Sequence, residues 1–195
     1  MDASMPKLWP RARTIWEKGT NRCDFLSGAV DKYMWVDKGS SFLMGELTAA
    51  MLAAQLEGVN DITSRRLARW HQYHRSLEGL ETKGWLRRPI VAKGCLHNAH
   101  LYHVLIWDQE AFAAVSIALN NAGVQAARHY PPLHLSPGGL QFGRASGECH
   151  VTESVARTLL RLPLWPGMPA SDVDVVTGII ERTLAKRCDD MALPS

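Results

Sequence analysis

Residues 17–56 read EKGTNRCDFLSGAVDKYMWVDKGSSFLMGELTAAMLAAQL, and this stretch does most to decide the fold. It joins a turn rich in glycine and serine, Gly39-Ser40-Ser41, to the start of an amphipathic helix. Free backbone N–H groups and the helix dipole both favour a phosphate at such a turn. Glycine and serine before a helix also serve as ordinary caps. The sequence therefore predicts a turn followed by a helix, with phosphate binding as one of two interpretations.

The composition is that of an ordinary globular protein. The chain has 195 residues, of which 46% are hydrophobic and 21% charged, which suits one domain, or one domain plus a tail belonging to a neighbour. Its 22 basic and 19 acidic residues give a net charge of +3, too small to indicate nucleic-acid binding. No run approaches a membrane-spanning length, and the N-terminus lacks the apolar core of a signal peptide, so no membrane association is expected.

The four cysteines are far apart and form no CxxC pair. This spacing disfavours a zinc ribbon, and a chain of this size needs no disulfide framework. We therefore expect reduced cysteines and a cytoplasmic protein.

Helical patterns dominate the first half of the chain. Residues 10–18 are predicted to finish a helix, and residues 29–37 to form a short strand or an extended arm. Apolar residues then recur at helical spacing from Leu47 to Leu77, with a weak point at residues 57–60. The pattern predicts one long helix with a bend, or two helices in line.

Strand and helix patterns alternate in the second half. The predicted strands are 98–107, 124–130 and 161–164, and the predicted helices are 109–121, 152–160 and 171–186. Thr152 or a near neighbour is expected to cap its helix. This order indicates an α+β fold, with a mainly antiparallel sheet covered by helices on one face.

Three histidines on or immediately before the first of these strands, His97, His100 and His103, raise the question of a metal site. At ~3.3 Å per residue, His97 and His103 share a face but stand roughly 20 Å apart, whereas His100 points the other way. They cannot surround one ion, so no metal site is predicted.

Residues 128–134, RHYPPLH, offer a cation, two imidazoles and a phenol where two prolines force a turn. Such a cluster can hold a sugar diphosphate by charge-assisted hydrogen bonds, although a turn rich in histidine and proline is also typical of a surface loop. Ser27, Ser40 and Ser41 lack a G-x-S-x-G setting. No catalytic residue is predicted.

Several of these segments resemble the DegT/DnrJ/EryC1/StrS sugar aminotransferases, pyridoxal-phosphate enzymes that aminate keto sugars on nucleotide carriers. The resemblance covers about residues 11–186 in the family's order, and it is greatest to the dTDP-4-keto-6-deoxyglucose transaminases of enterobacterial common antigen synthesis. The segments that carry it are residues 17–56, Asn98-Ala99-His100, 128–134, Gly147-Glu148 and 159–164.

The resemblance implies the C-terminal small domain of a fold-type-I pyridoxal-phosphate aminotransferase, preceded by a long helix and a remnant of the large domain. The implied division is residues 1–44 for the remnant with a dimer-side loop, 45–83 for a long linking helix, 84–188 for the α/β small domain and 189–195 for a tail.

The resemblance also implies the site residues. Ser41 stands where many family members have an asparagine that reaches the cofactor phosphate of the partner subunit, so Ser41 and its neighbour Ser40 are expected to bind the cofactor. Gly45-Glu46 departs from the family's Ser/Thr-Asp helix cap. The expected substrate-binding residues are His100, His129, Tyr130 and His134. For His100, a hydrogen-bonded interior histidine is an equal alternative.

The implied reaction moves an amino group from glutamate to the 4-keto carbon of a dTDP-linked 6-deoxy sugar, with pyridoxal phosphate as the cofactor of the intact enzyme. In the family the Schiff-base lysine lies upstream of the EKGTNR-like segment, and here only MDASMPKLWPRARTIW precedes it. A chain that is inactive alone and holds no cofactor covalently is therefore expected.

Two hypotheses remain open. The chain is the C-terminal portion of a transaminase, expected as a homodimer. Alternatively, it is a stand-alone binding or assembly module that partners an intact aminotransferase.

Overall fold

A computed structural model describes residues 7–106 and 108–192, and the chain divides into two units at Gly58. The first unit contains helices α1 (Trp9–Trp16), α2 (Arg22–Leu26) and α3 (Glu46–Glu57). Pro10 lies in the first turn of α1, where a missing N–H costs nothing. This helix confirms the one predicted from residues 10–18, although it ends at Trp16.

Two glycines let the chain cross itself closely in the first unit. Gly19 has a φ of +79°, and a Cβ on it would lie 2.0 Å from the carbonyl oxygen of Asp37. A Cβ on Gly39 would lie 2.1 Å from the backbone nitrogen of Gly19. The carbonyl of Gly19 accepts hydrogen bonds from Val36 N–H at 2.8 Å and Asp37 N–H at 3.0 Å. Gly39 of the Gly39-Ser40-Ser41 turn therefore has a packing role.

The second unit is an α+β layer that begins at Val59. Its strands are β1 (Tyr102–Leu105), β2 (Ala127–Arg128) and β3 (Leu159–Leu162), and its helices are α4 (Val59–Ser76), α5 (Glu78–Thr82), α6 (Gln109–Asn121), α7 (Pro137–Phe142), α8 (His150–Thr158) and α9 (Ala170–Ala192), with a 3₁₀ turn at Leu133–Leu135.

The sheet has the order β1-β3-β2 and is antiparallel throughout, as predicted. Tyr102 pairs with Leu162 and Val104 with Leu160, and all four side chains are buried in the core. Because side chains alternate along a strand, the intervening residues point to the opposite face. We call this opposite side, with His103 and Arg161 in register and both half-buried, the outer face.

The core lies between the inner face of the sheet and three helices. Helix α9 packs along α6 and α4. These helices contribute Tyr73, Phe112, Leu119, Ile180 and Leu184, each 3% exposed or less. The predicted arrangement of an antiparallel sheet with helices against one face is confirmed.

Several elements differ in extent from their predictions. The segment predicted as one long linking helix forms α3, α4 and α5, interrupted at Gly58 and Leu77. The strand predicted at 98–107 contributes only Tyr102–Leu105 to the sheet, because Ala99 adopts a φ of +50° and turns the chain. Trp107 lies outside the described residues.

Two further predictions offered alternatives, and the structure decides between them. Residues 29–37 contribute one isolated bridge, between Trp35 and Thr20, and are an extended arm. Helix α8 begins at His150, and Cys149 stands at its N-cap without a side-chain cap bond, so Thr152 is not the cap.

Within residues 7–106 and 108–192, no helix combines the length and apolar character needed to cross a bilayer.

Candidate functional site

His129 and Tyr130 follow the last residue of β2, Arg128, and precede Pro131-Pro132, which lack the N–H donors that a continuing strand would need. Their rings lie against each other with centroids 5.7 Å apart. Both residues line a cavity of about 600 Å³ whose opposite wall is α8, including Val151 and Val155. The structure thus brings two of the predicted substrate residues together at one cavity.

His134 is placed differently. It lies in the 3₁₀ turn that follows the prolines, and its Nε2 is 3.1 Å from Oε1 of Glu153 on α8. Both side chains are more than two-thirds buried. The contact between His134 and Glu153 therefore holds the 3₁₀ turn against α8, which forms a wall of the cavity. Glu153 was not predicted as a site residue from the sequence.

His100 lies at a second, smaller cavity. This cavity of about 230 Å³ is also lined by Gln125 and Arg161. His100 itself is exposed, so it is not an interior histidine. The Arg66 guanidinium donates to the carbonyl oxygens of Ala99, at 2.9 Å, and His100, which fixes the turn before β1.

The outer face of the sheet lies between the cavity lined by His129 and Tyr130 and the smaller cavity lined by His100. His103 on β1 is opposite Arg161 on β3, which is opposite Ala127 on β2. Burial lowers the pKa of His103 below its ordinary value, and the charge of His129 acts in the same direction. His103 is therefore a neutral imidazole at pH 7.

Ser40 and Ser41 belong to the first unit and are exposed. The N–H of Ser40 donates to the carbonyl of Ile15 at 3.2 Å, and Ser41 forms an isolated bridge with Glu17. Helix α3 begins at Glu46, so its free N–H groups belong to residues after the turn. The helix dipole thus acts at Glu46 and not at Ser40 or Ser41.

A further cleft was not predicted from the sequence. It measures about 650 Å³ and lies between α4 and the loop before β1. Trp70 stacks on His74 with ring centroids 4.7 Å apart and contacts His97 edge-on at 4.6 Å. Burial lowers the pKa of His74, and the charge of Arg88 lowers it further. The spacing Trp70-His71-x-x-His74 on a helix was the available signal.

The chain's own residues do not fit covalent attachment of pyridoxal phosphate. An aldimine lysine must be desolvated or otherwise activated in a pocket. All seven lysines are exposed: Lys7, Lys18, Lys32, Lys38, Lys83, Lys93 and Lys186.

Among the residues that the structure describes, no cluster of three histidine, cysteine or acidic side chains could hold a metal ion.

The sequence profile of the DegT/DnrJ/EryC1/StrS aminotransferase family matches residues 5–181. The chain belongs to this family. Among its DegT/DnrJ/EryC1/StrS relatives, the erythromycin biosynthesis sensory transduction protein EryC1 of Saccharopolyspora erythraea is 28% identical over 161 residues, which is 79% of this chain and 41% of that protein. The dTDP-3-amino-3,4,6-trideoxy-alpha-D-glucose transaminase of Streptomyces venezuelae is 30% identical over 71% of this chain and 35% of that protein.

Solved structures of aminotransferases share the fold. The aminotransferase TlmJ from Streptoalloteichus hindustanus superposes with a TM-score of 0.74 at 26% identity, over 94% of this chain and 46% of that one. The DesV protein of S. venezuelae, in complex with a ketimine intermediate, gives 0.74 and 26% over 92% of this chain and 44% of that one. This member of the DegT/DnrJ/EryC1/StrS family thus spans less than half the length of the relatives it matches.

Proposed function

We propose that this chain is the C-terminal portion of a pyridoxal-phosphate-dependent nucleotide-sugar aminotransferase and that it contributes substrate binding. Family membership and relatives named as dTDP-sugar transaminases support the reaction class. The observation that carries the proposal is the cavity of about 600 Å³ with His129 and Tyr130 at its edge.

The cavity suits a ligand with both apolar and polar parts. Tyr130 is 73% exposed, so its ring is available to stack on a planar base. His129 is exposed beside it and offers a ring N–H to an oxygen. Prolines and α8 supply apolar walls that suit a deoxy sugar.

The finer proposal concerns the reaction. We infer amino transfer from glutamate to the 4-keto carbon of a dTDP-linked 6-deoxyhexose, in the cytoplasm, for surface polysaccharide or common antigen synthesis. Ser41, with Ser40, contacts the cofactor phosphate in a homodimer, where the exposed position of both serines leaves them available.

A second candidate function is a stand-alone binding or assembly module that partners an intact aminotransferase. The exposure of all seven lysines fits this module as well as it fits the C-terminal portion of a transaminase, because neither needs an internal aldimine in this chain. On either proposal this chain forms no aldimine alone. After incubation with pyridoxal phosphate and borohydride reduction, peptide mapping should find no stoichiometric pyridoxyl-lysine. A single fully labelled lysine would overturn this statement.

Calorimetric titration with dTDP-glucose tests the binding function. The wild-type chain should bind, and His129→Ala and Tyr130→Ala should each weaken binding by about tenfold, the scale of one lost polar or stacking contact. His71→Ala, which changes an exposed histidine in the other cleft, is the matched control and should bind as wild type. Absence of wild-type binding overturns the proposal.

A further inference from the structure

Arg161 lies between the two cavities that contain the predicted substrate residues. It lines the smaller cavity with His100 and Gln125. Its guanidinium carbon is also 5.6 Å from the ring centroid of Tyr130, which lines the larger cavity. One cation is therefore within reach of both places.

The guanidinium of Arg161 makes few hydrogen bonds. Its Nη2 donates to the carbonyl of Arg128 at a long 3.4 Å. Its Nε is buried and has no hydrogen-bond partner among the described residues. Within that same part of the chain, the acidic side chains form no ion pair with Arg161, although they pair with Arg88 and Arg187. A buried donor left without a partner is destabilising, more so in a charged group, so it demands an explanation.

The surroundings favour an anion as the missing partner. Across the outer face Arg161 pairs in register with His103, and His129 is close enough to affect the titration of His103. An imidazole ring offers an N–H group to an oxyanion without neutralising the cation. The planar guanidinium fork matches the geometry of phosphate oxygens.

We propose that Arg161 binds a phosphate group of the nucleotide-sugar substrate in the cavity beside His100 and Gln125. This inference rests on the proposed function, because it takes the ligand to be a sugar diphosphate. Contact with Tyr130 then places the base or sugar of the same ligand at the larger cavity, and one extended substrate accounts for both groups of predicted residues.

Inorganic pyrophosphate is the probe, because it carries the phosphates without the base or sugar. Titration into the isotope-labelled chain should shift the Nε–H resonance of Arg161. Arg161→Met, which keeps most of the apolar stem, should weaken pyrophosphate and dTDP-glucose binding by about ten- to a hundredfold, as expected when a charge-assisted bond is lost. Arg161→Lys should recover part of the affinity, since it restores the charge without the fork.

Arg75→Met changes an exposed arginine on α4 and is the matched control; it should leave both affinities unchanged. Unchanged pyrophosphate affinity in Arg161→Met, or no shift of the Nε–H resonance, overturns the inference while dTDP-glucose binding by the wild type upholds the proposed function. If Arg161→Met and Arg161→Lys both lower the melting temperature and lose dTDP-glucose equally, Arg161 is a packing residue and the inference is wrong. Failure of wild-type dTDP-glucose binding overturns both.

Discussion

At the scale of single residues, Gly39 shows that a turn can require glycine because another backbone segment packs closely against it. Gly39→Ala should place a methyl group against the backbone of Gly19, where the ideal Cβ is 2.1 Å from its nitrogen. Overpacking of this kind costs about 1–3 kcal/mol. We expect faster hydrogen exchange at Val36 and Asp37, whose N–H groups donate to Gly19.

Gly45→Ala is the control for this experiment. Gly45 has no atom within 4 Å of its ideal Cβ and a φ of −67°, which an alanine adopts without strain. Its exchange rates at Val36 and Asp37 should equal those of the wild type. Equal rates in Gly39→Ala would show that the crossing of the two segments can relax.

Only part of the candidate site could be predicted from the sequence. The sequence predicted that His129 and Tyr130 lie together, because they are adjacent and immediately precede two prolines that no strand can continue through. The bond from His134 to Glu153 joins residues that are distant in sequence, and local pattern does not reveal such contacts. Arg161 was not predicted as a site residue, since it lies between two leucines, Leu160 and Leu162, that are buried in the core. Strict alternation in Leu160-Arg161-Leu162 was the signal that it faces away from that core.

At the scale of secondary structure, helix α6 has a well-defined start. The carboxylate of Asp108 accepts from Glu110 N–H and Ala111 N–H, both at 3.1 Å, and from Arg187 Nε at 2.8 Å. Burial alone would raise the pKa of Asp108, but the bonds from Arg187 and the two amides outweigh it, so the pKa lies below its ordinary value.

The sign of the pH effect follows from this shift. A carboxyl whose folded pKa is depressed stabilises the fold above its unfolded pKa of about 4, and that contribution is lost as the pH falls through the folded value. Asp108→Ala should cost about 1 kcal/mol of unfolding free energy at pH 7, the usual value of an N-cap. Urea denaturation at pH 7 and at pH 2.5 measures it, and the cost should shrink at the lower pH.

Asp108→Asn separates the cap from the charge. Asparagine caps helices about as well as aspartate but cannot form the ion pair with Arg187. It should retain most of the stability at pH 7, since that pair is partly exposed and surface pairs contribute little. A loss as large as that of alanine would assign the stabilisation to the ion pair.

Helix α6 was predicted more accurately than strand β3 for a physical reason. Helix α6 occupies Gln109–Asn121, the predicted range, because its cap, its apolar spacing and Gly123 are all local. The extent of a strand depends on its partner: β3 begins two residues earlier than predicted because Leu159 and Leu160 pair with Leu105 and Val104. The break at Gly58 matches one of the two predicted alternatives, two helices that meet at the weak point of residues 57–60.

At the scale of the whole molecule, the first unit exposes much apolar surface. Leu47 and Met51 on α3 are 86% and 72% exposed, and Trp35 is 78% exposed. Apolar patches of this kind mark interaction sites or cause association. We predict that the chain self-associates at tens of micromolar, and that Leu47→Glu and Met51→Glu shift sedimentation velocity profiles towards the monomer.

Ile117→Glu serves as the comparison, because Ile117 is 60% exposed on α6 of the second unit. It should sediment as the wild type does. A wild-type chain that sediments as a clean monomer and binds no apolar dye would instead favour the stand-alone module.

The placement of the core has a calorimetric consequence. Within the described residues, the buried hydrophobic side chains lie between Trp70 and Leu184, all in the second unit. The heat-capacity increment of unfolding reflects apolar surface newly hydrated, about 12–15 cal/mol/K per residue in an ordinary domain. The chain from Val59 onward should supply nearly all of that increment. Residues before Val59 should add almost nothing to the heat-capacity increment of unfolding until a partner covers their exposed apolar surface.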